Sequence, residues 1–208
     1  MSDRSGAAGM RAAVTGFCGK LPARGDFVAS TLPRRFVEPW HDWMQRMLAG
    51  SRRLIGDDWL AAWLEAPIWR FALSPCICGP DAAVGLWMPS VDRVGRYFAL
   101  TFAAVTPNGD PRGLLGEAGG FLDAAETAGL DAVALDLAPD EVAVRIAAAG
   151  SAGPGGGGAD PQLCPQGGAL WWSEGSGRVP RTVFATPGLP DEAEFSGMLD
   201  ASILVREP

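Results

Sequence analysis

The sequence predicts a three-layer α/β domain, a mixed and partly antiparallel sheet of about six strands with helices on both faces. Three observations carry that expectation. Short apolar runs bounded by Gly, Pro and Asp are interspersed with segments of helical period over the 208 residues. At least two pairs of runs are joined by turn-rich connections short enough for hairpins. The chain is also long enough for a proper core, since a folded chain of this size buries about 70% of its extended-chain surface. Residues 1–10 are expected to be disordered and residues 11–208 to form a single domain, with a flexible Gly-rich loop at 150–162.

The elements follow in order. Arg11 to Cys18 reads as a strand ending in Gly19, and Lys20 to Phe27 as a loop fixed by Pro22 and loosened by Gly25. From Val37 to Arg53, Val37, Trp40, Trp43, Met44, Met47 and Leu48 recur at spacings of three and four, which is one inward stripe of a helix, with Pro39 in its first turn. A shorter helix with Asp57 as N-cap carries Trp59, Leu60, Trp63 and Leu64 and stops before Pro67. Ile68 to Leu73 reads as a strand in which Arg70 points away from Trp69 and Phe71, toward a wet face or into a buried pair. Strands then run from about Ala83 to Met88 and from Tyr97 to Val105, joined by a polar hairpin connection over Ser90 to Arg96.

The second half is Ala-rich and helical. Leu114 to Ala128 is expected to end at Gly129, and Pro139 to Ala149 at Gly150, with Asp131 to Leu137 between them as loop or short strand. Six glycines between Gly150 and Gly158 have the composition of a flexible linker. Ala169 to Ser173 and Val179 to Phe184 read as the last strands, the second at an edge because of Pro180. A final helix from Asp191 to about Leu199 is capped by Leu189-Pro190-Asp191.

Charge and composition exclude several functions. The net charge is −7, Lys20 is the single lysine, and the sixteen arginines are scattered apart from the Arg34-Arg35 and Arg52-Arg53 pairs, so no footprint for a nucleic-acid backbone is expected. No apolar run approaches the length of a membrane helix, and the first ten residues lack the apolar core of a signal peptide. A cytoplasmic protein is expected, with Cys18, Cys76, Cys78 and Cys164 as free thiols. Cys76-Ile77-Cys78 lacks a second pair or a nearby His, and His41 is the single histidine, so no metal site is expected. Gly19-Lys20 fails as a phosphate loop because Val14 stands for the first Gly and Leu21 for the Ser/Thr. No cofactor is implied.

Nucleophilic chemistry would have to use His41 as its base, and no G-x-S-x-G elbow is present. Cys18 is the best-placed thiol, although a small buried cysteine is the plainer reading. The polar groups concentrate instead in two loops at strand ends. Asp92 accepts hydrogen bonds while Arg93 and Arg96 donate, so the hairpin connection either satisfies itself or offers these groups to a partner. Lys20 and Asp26 lie in the other loop, and two acids such as Asp26 and Asp92 in one cleft would allow acid/base work.

Gly16-Phe17-x-Gly19-Lys20-Leu21-Pro22-x-x-Gly25-Asp26-Phe27, Ala66-Pro67-x-Trp69-Arg70-Phe71 and Pro89-Ser90-Val91-Asp92-Arg93-Val94-Gly95-Arg96-Tyr97-Phe98 stand in order along the first half. With Leu32-Pro33, Trp40, Trp43, Asp58-Trp59, Leu170-Trp171-Trp172 and Gly188-Leu189-Pro190, this pattern resembles the TagF/ImpM family associated with bacterial type VI secretion systems. The chain departs from the family pattern at Ala99 and in its glycine run. The resemblance implies an α/β accessory protein with no catalytic assignment, a posttranslational negative regulator of secretion assembly acting by protein–protein binding with the forkhead-associated-domain component. Carried over, its polar signature falls on Lys20, Gly25, Asp26, Trp69, Arg70, Ser90, Asp92, Arg93, Gly95 and Arg96, as a partner-binding or structural polar cluster. The alternative expectation is a small-ligand sensor or enzyme built on Lys20, Asp26, Asp92 and Arg96.

Overall fold

The computed structural model describes residues 10–149 and 158–205. The expected disordered segment 1–10 lies, apart from Met10, outside the described residues, as do residues 150–157 of the expected flexible loop. Met10 itself is buried, and its backbone N–H donates to Glu117 Oε2 at 2.9 Å.

The strands are β1 (Val14–Gly19), β2 (Val28–Ser30), β3 (Trp69–Leu73), β4 (Ala82–Val91), β5 (Tyr97–Thr106), β6 (Ala169–Ser173) and β7 (Thr182–Thr186). They form one sheet in the order β2-β1-β5-β4-β3-β6-β7, and each neighbouring pair is antiparallel. The helices are α1 (Arg34–Ile55), α2 (Trp59–Glu65), α3 (Pro111–Glu117), α4 (Gly119–Ala134), α5 (Pro139–Ala149) and α6 (Glu192–Leu199). One face of the sheet is covered by α1, α2 and α6, the other by α3, α4 and α5. This is the three-layer α/β class. With both faces covered, β3 and the middle of β4 and β5 are buried at every position, so these strands read as continuous apolar runs instead of alternating ones.

The two cores differ in material. Seven of the eight tryptophans lie on the α1/α2/α6 face, and Trp172 alone on the other. Trp40 Nε1 donates to Thr101 Oγ1 at 3.0 Å, Trp43 Nε1 to the Pro190 carbonyl at 2.8 Å and Trp69 Nε1 to the Met198 carbonyl at 2.9 Å, so directed bonds tie α1 to β5, α1 to the entry of α6, and α6 to β3. On the opposite face Ala125, Ala128 and Ala132 of α4 are buried against the sheet.

Several boundaries depart from the sequence expectation. Gly129 does not end its helix. It is buried inside α4, where an added Cβ would overlap the Met88 side chain, so the glycine serves close packing and not termination. The helix therefore takes in Asp131 to Ala134, expected as loop or strand, and stops at Leu135 before Asp136, whose φ is +53°. The expected single helix from Leu114 is two, broken at Ala118. α1 begins at Arg34 because the Pro33 carbonyl accepts from the N–H groups of Phe36 and Val37 at 2.9 and 3.0 Å, which places Pro39 in the second turn. α2 follows a 3-10 turn, Gly56–Asp58, and neither Asp57 nor Asp58 supplies a side-chain cap. β2 has only three residues, half-buried or exposed, and carries no apolar signal. β7 starts at Thr182, since the Val179 carbonyl is taken by Ser176 N–H at 2.7 Å in the preceding turn; it is an edge strand, as Pro180 suggested. At α6 the expected cap is a full capping box, Asp191 accepting from Ala193 and Glu194 N–H while Glu194 Oε2 accepts from Asp191 N–H, all at 2.9 Å.

Candidate functional site

The β4–β5 hairpin pairs Ala82 with Thr106 at its base and Val91 with Tyr97 at its tip, which leaves Asp92 to Arg96 as the connection. Gly95 adopts φ +84° there, a conformation that side-chain-bearing residues rarely take. Asp92 N–H donates to the Arg96 carbonyl and Gly95 N–H to the Asp92 carbonyl, both at 3.0 Å. The turn thereby directs the Asp92 carboxylate inward, where its side chain is 0% exposed.

Four donors converge on that carboxylate. Oδ1 accepts from the backbone N–H of Val94 at 3.0 Å and of Arg96 at 2.8 Å, and Oδ2 accepts from Arg96 Nε at 2.7 Å and from the Lys20 ammonium. Burial alone pushes the carboxyl upward in pKa. The Lys20 bond, with those from Arg96 and Val94, more than offsets it and holds the Asp92 carboxyl well below the usual carboxylate range.

The loop after β1 is fastened to the hairpin at further points. Ser90 Oγ donates to the Lys20 carbonyl at 2.8 Å, Arg93 N–H to the Arg24 carbonyl at 3.0 Å, and Arg96 Nη2 to the Gly25 carbonyl. Gly19 leads into this loop at φ +133°, and a Cβ there would overlap the Ala99 carbonyl, so the backbone of β1 meets β5 more closely than any other residue permits. Two loops some 70 positions apart become one surface at this end of the sheet.

The structure thus brings together Lys20, Gly25, Ser90, Asp92, Arg93, Gly95 and Arg96 of the expected cluster, Arg93 through its backbone. Asp26 is exposed whereas the Asp92 side chain is buried, and among the described residues no bond joins the two. Arg70 lies elsewhere: it sits in β3 on the α4 side and pairs with Glu126, which settles the choice between a wet face and a buried pair in favour of the pair. Cys18 is unsuited to nucleophilic attack. Burial, aided by neighbouring Cys78, pushes its thiol far up, and burial pushes the Cys78 thiol to about 12. His41 meanwhile packs edge-on against Phe27, with ring centroids 4.7 Å apart, and beside Phe98. Among the described residues no group of three or more His, Cys, Asp or Glu is placed to hold a metal ion, and no helix is long and apolar enough to cross a membrane.

The profile of the TagF N-terminal domain, type VI secretion system-associated, matches residues 16–149. The chain belongs to the TagF family. The crystal structure of PA0076 from Pseudomonas aeruginosa PAO1 is similar to it, with a TM-score of 0.79 and 32% sequence identity over 90% of this chain and 94% of that one. A comparison with curated proteins finds no match.

The TagF match begins within β1 and contains β2 to β5 and both latched loops, while β6, β7 and α6 lie beyond it. Three residues outside the expected cluster take part in these contacts or stand beside them. Arg24 meets the hairpin through its carbonyl, Val94 stands 67% exposed at the hairpin tip, and Glu126 is the partner of Arg70. Arg24 and Val94 lie inside the quoted motifs at positions left unspecified or unremarked. Glu126 carries no local signal, since 56 positions separate it from Arg70.

Proposed function

We propose that this chain is a posttranslational negative regulator of type VI secretion assembly, acting in the cytoplasm by protein–protein binding and without catalysis. Its partner in this reading is the forkhead-associated-domain component of the same system. The family places the chain with type VI secretion. The observation that carries the finer reading is the fastening of two loops around Asp92, which gives one end of the sheet a pre-ordered surface, and pre-ordering lowers the entropic cost of docking a partner.

Calorimetry of the wild-type protein with the forkhead-associated-domain component tests it. Asp92→Asn, which loosens the loops, is expected to weaken binding by at least about tenfold, about 1.4 kcal/mol. Arg70→Met, which leaves the loops alone, is expected to change nothing. Absence of wild-type binding would remove this partner, and equal affinity of the Asp92→Asn protein would remove this surface.

A further inference from the structure

The cluster that looks like a single polar site in sequence divides in space. Asp92, the Lys20 ammonium and the Nε of Arg96 are engaged with one another, and they have little left for a visitor. What the two loops present outward is different: Arg24 and Arg93, both exposed and with no bond to either guanidinium among the described residues, the part of Arg96 engaged by neither Asp92 nor the Gly25 carbonyl, its side chain being 59% exposed, and the exposed Val94. Residues 20–27 and 90–97 hold four cations against Asp26 and Asp92, a surplus of two positive charges in a chain of net −7, so the remainder carries −9.

We infer that this tip is a docking surface for a short acidic segment of a partner protein, with an apolar side chain of that segment seated on Val94. The inference deepens the proposed function and rests on its reading of this end of the sheet as the partner-binding one. Charge complementarity selects the occupant. Arginines offer forked donors to carboxylates, and a compact acidic segment meets them without meeting the rest of the molecule. An extended anionic surface, such as a nucleic acid or a bilayer, would face the −9 of the remainder as well. The geometry favours recognition with little ordering cost. The Val94 and Arg96 N–H groups are held by Asp92 Oδ1, and the Arg93 N–H by the Arg24 carbonyl, so the backbone that presents Arg24, Arg93 and Val94 is fixed before any partner arrives. Arginine is also among the residues enriched at energetically dominant interface positions.

The test has two arms, each run with wild type, Arg24→Glu/Arg93→Glu and Val94→Ser, after equal melting temperatures have been verified. Neither set of substitutions touches the carboxylate of Asp92. In the first arm a ten-residue glutamate peptide, and the same peptide with two central leucines, are titrated and followed by amide chemical shifts. Expected are shifts confined to residues 20–27 and 90–97, weakening on raising the salt from about 0.05 to about 0.3 M as screening shortens the range of exposed charges. The double reversal should abolish them, and Val94→Ser should erase the gain from the leucines. Shifts elsewhere, no shifts, or shifts indifferent to the reversal overturn the inference. In the second arm the forkhead-associated-domain component replaces the peptide in calorimetry. At least a tenfold loss in the double reversal supports the inference. Wild-type binding that the reversal leaves intact overturns it while the proposed partner stands. No binding even by wild type removes that partner, and the peptide arm then decides the inference by itself.

Discussion

Asp92 and Arg70 are both buried charges, and they are held in different ways. Asp92 follows the last residue of β4, and two side-chain cations and two backbone N–H groups close around it. Arg70 is the second residue of β3, an interior strand of the sheet, between Leu86 of β4 and Trp172 of β6, and its side chain is 9% exposed. Its single carboxylate partner comes from α4, and its Nε has no acceptor among the described residues. Position in the sheet explains the difference. At a strand end the chain is free to curl so that its own amides serve the carboxylate, whereas in a central strand the amides on both sides belong to the ladder and only a side chain from the covering layer can reach the charge. A buried charge at the rim joins two loops, and one at the centre ties a helix to the sheet.

The strongest way to break this comparison is Glu126→Ala. It leaves the Arg70 guanidinium buried without a counter-ion, and a loss of about 3–5 kcal/mol is expected in urea unfolding. A loss below about 1 kcal/mol would mean that water reaches Arg70 and that the interior strand does not hold the more demanding charge. Asp92→Asn should cost less, about 2 kcal/mol near neutral pH, because the deprived Lys20 and Arg96 lie at the rim while the two backbone donors lose a charged acceptor. The same variant sharpens the comparison through pH. The folded-state pKa of Asp92 is depressed, so its contribution is fully present above the unfolded carboxylate value of about 3.9 and is lost as pH falls from there toward the lower folded value. The stability gap between wild type and Asp92→Asn should therefore be level from neutral pH down to about pH 5 and narrow below about pH 4, as read from unfolding curves at each pH. A gap that widens on acidification would contradict the latch.

Arg70→Met is expected to stay within about 1 kcal/mol of wild type, since an unbranched apolar chain fills the space, removes the unpaired Nε, and leaves a Glu126 that is 30% exposed and free to meet water. The smallest effect concerns thiols. Cys76 is exposed while Cys18, Cys78 and Cys164 are buried with raised pKa values, so a disulfide reagent at about pH 8 should modify Cys76 in the native protein and the other three only after denaturation. Rapid native modification of Cys18 would show that the α1 face opens.

Legibility in the sequence followed the range of the interaction. The hairpin, the inward stripe of α1 and the Asp191 cap depend on residues within a few positions of one another, and each was readable from spacing and turn chemistry. That Asp92 would cap its own turn and take Arg96 was within reach for the same reason, because both partners lie inside one five-residue connection. The membership of Arg70 in the same cluster was an extrapolation from shared motifs to shared space, since it pairs with Glu126 of α4. Gly129 misled because glycine ends helices and also permits close approach, and only the presence of Met88 across the layer distinguishes the two.

By itself the sequence determined the fold class, the order of most elements, the family and the two loops worth inspecting, since these rest on periodicity, turn residues and ordered motifs. The tertiary structure decided the rest: that Lys20 reaches Asp92 across 72 positions, that Arg70 answers to Glu126, that β2 exists at all, and that Arg24, Arg93 and Val94 face outward while Asp92 does not. Those facts depend on which strands become neighbours and on which side of a loop faces water. Such choices follow from burying two different cores at once, and no local stretch of chain contains them.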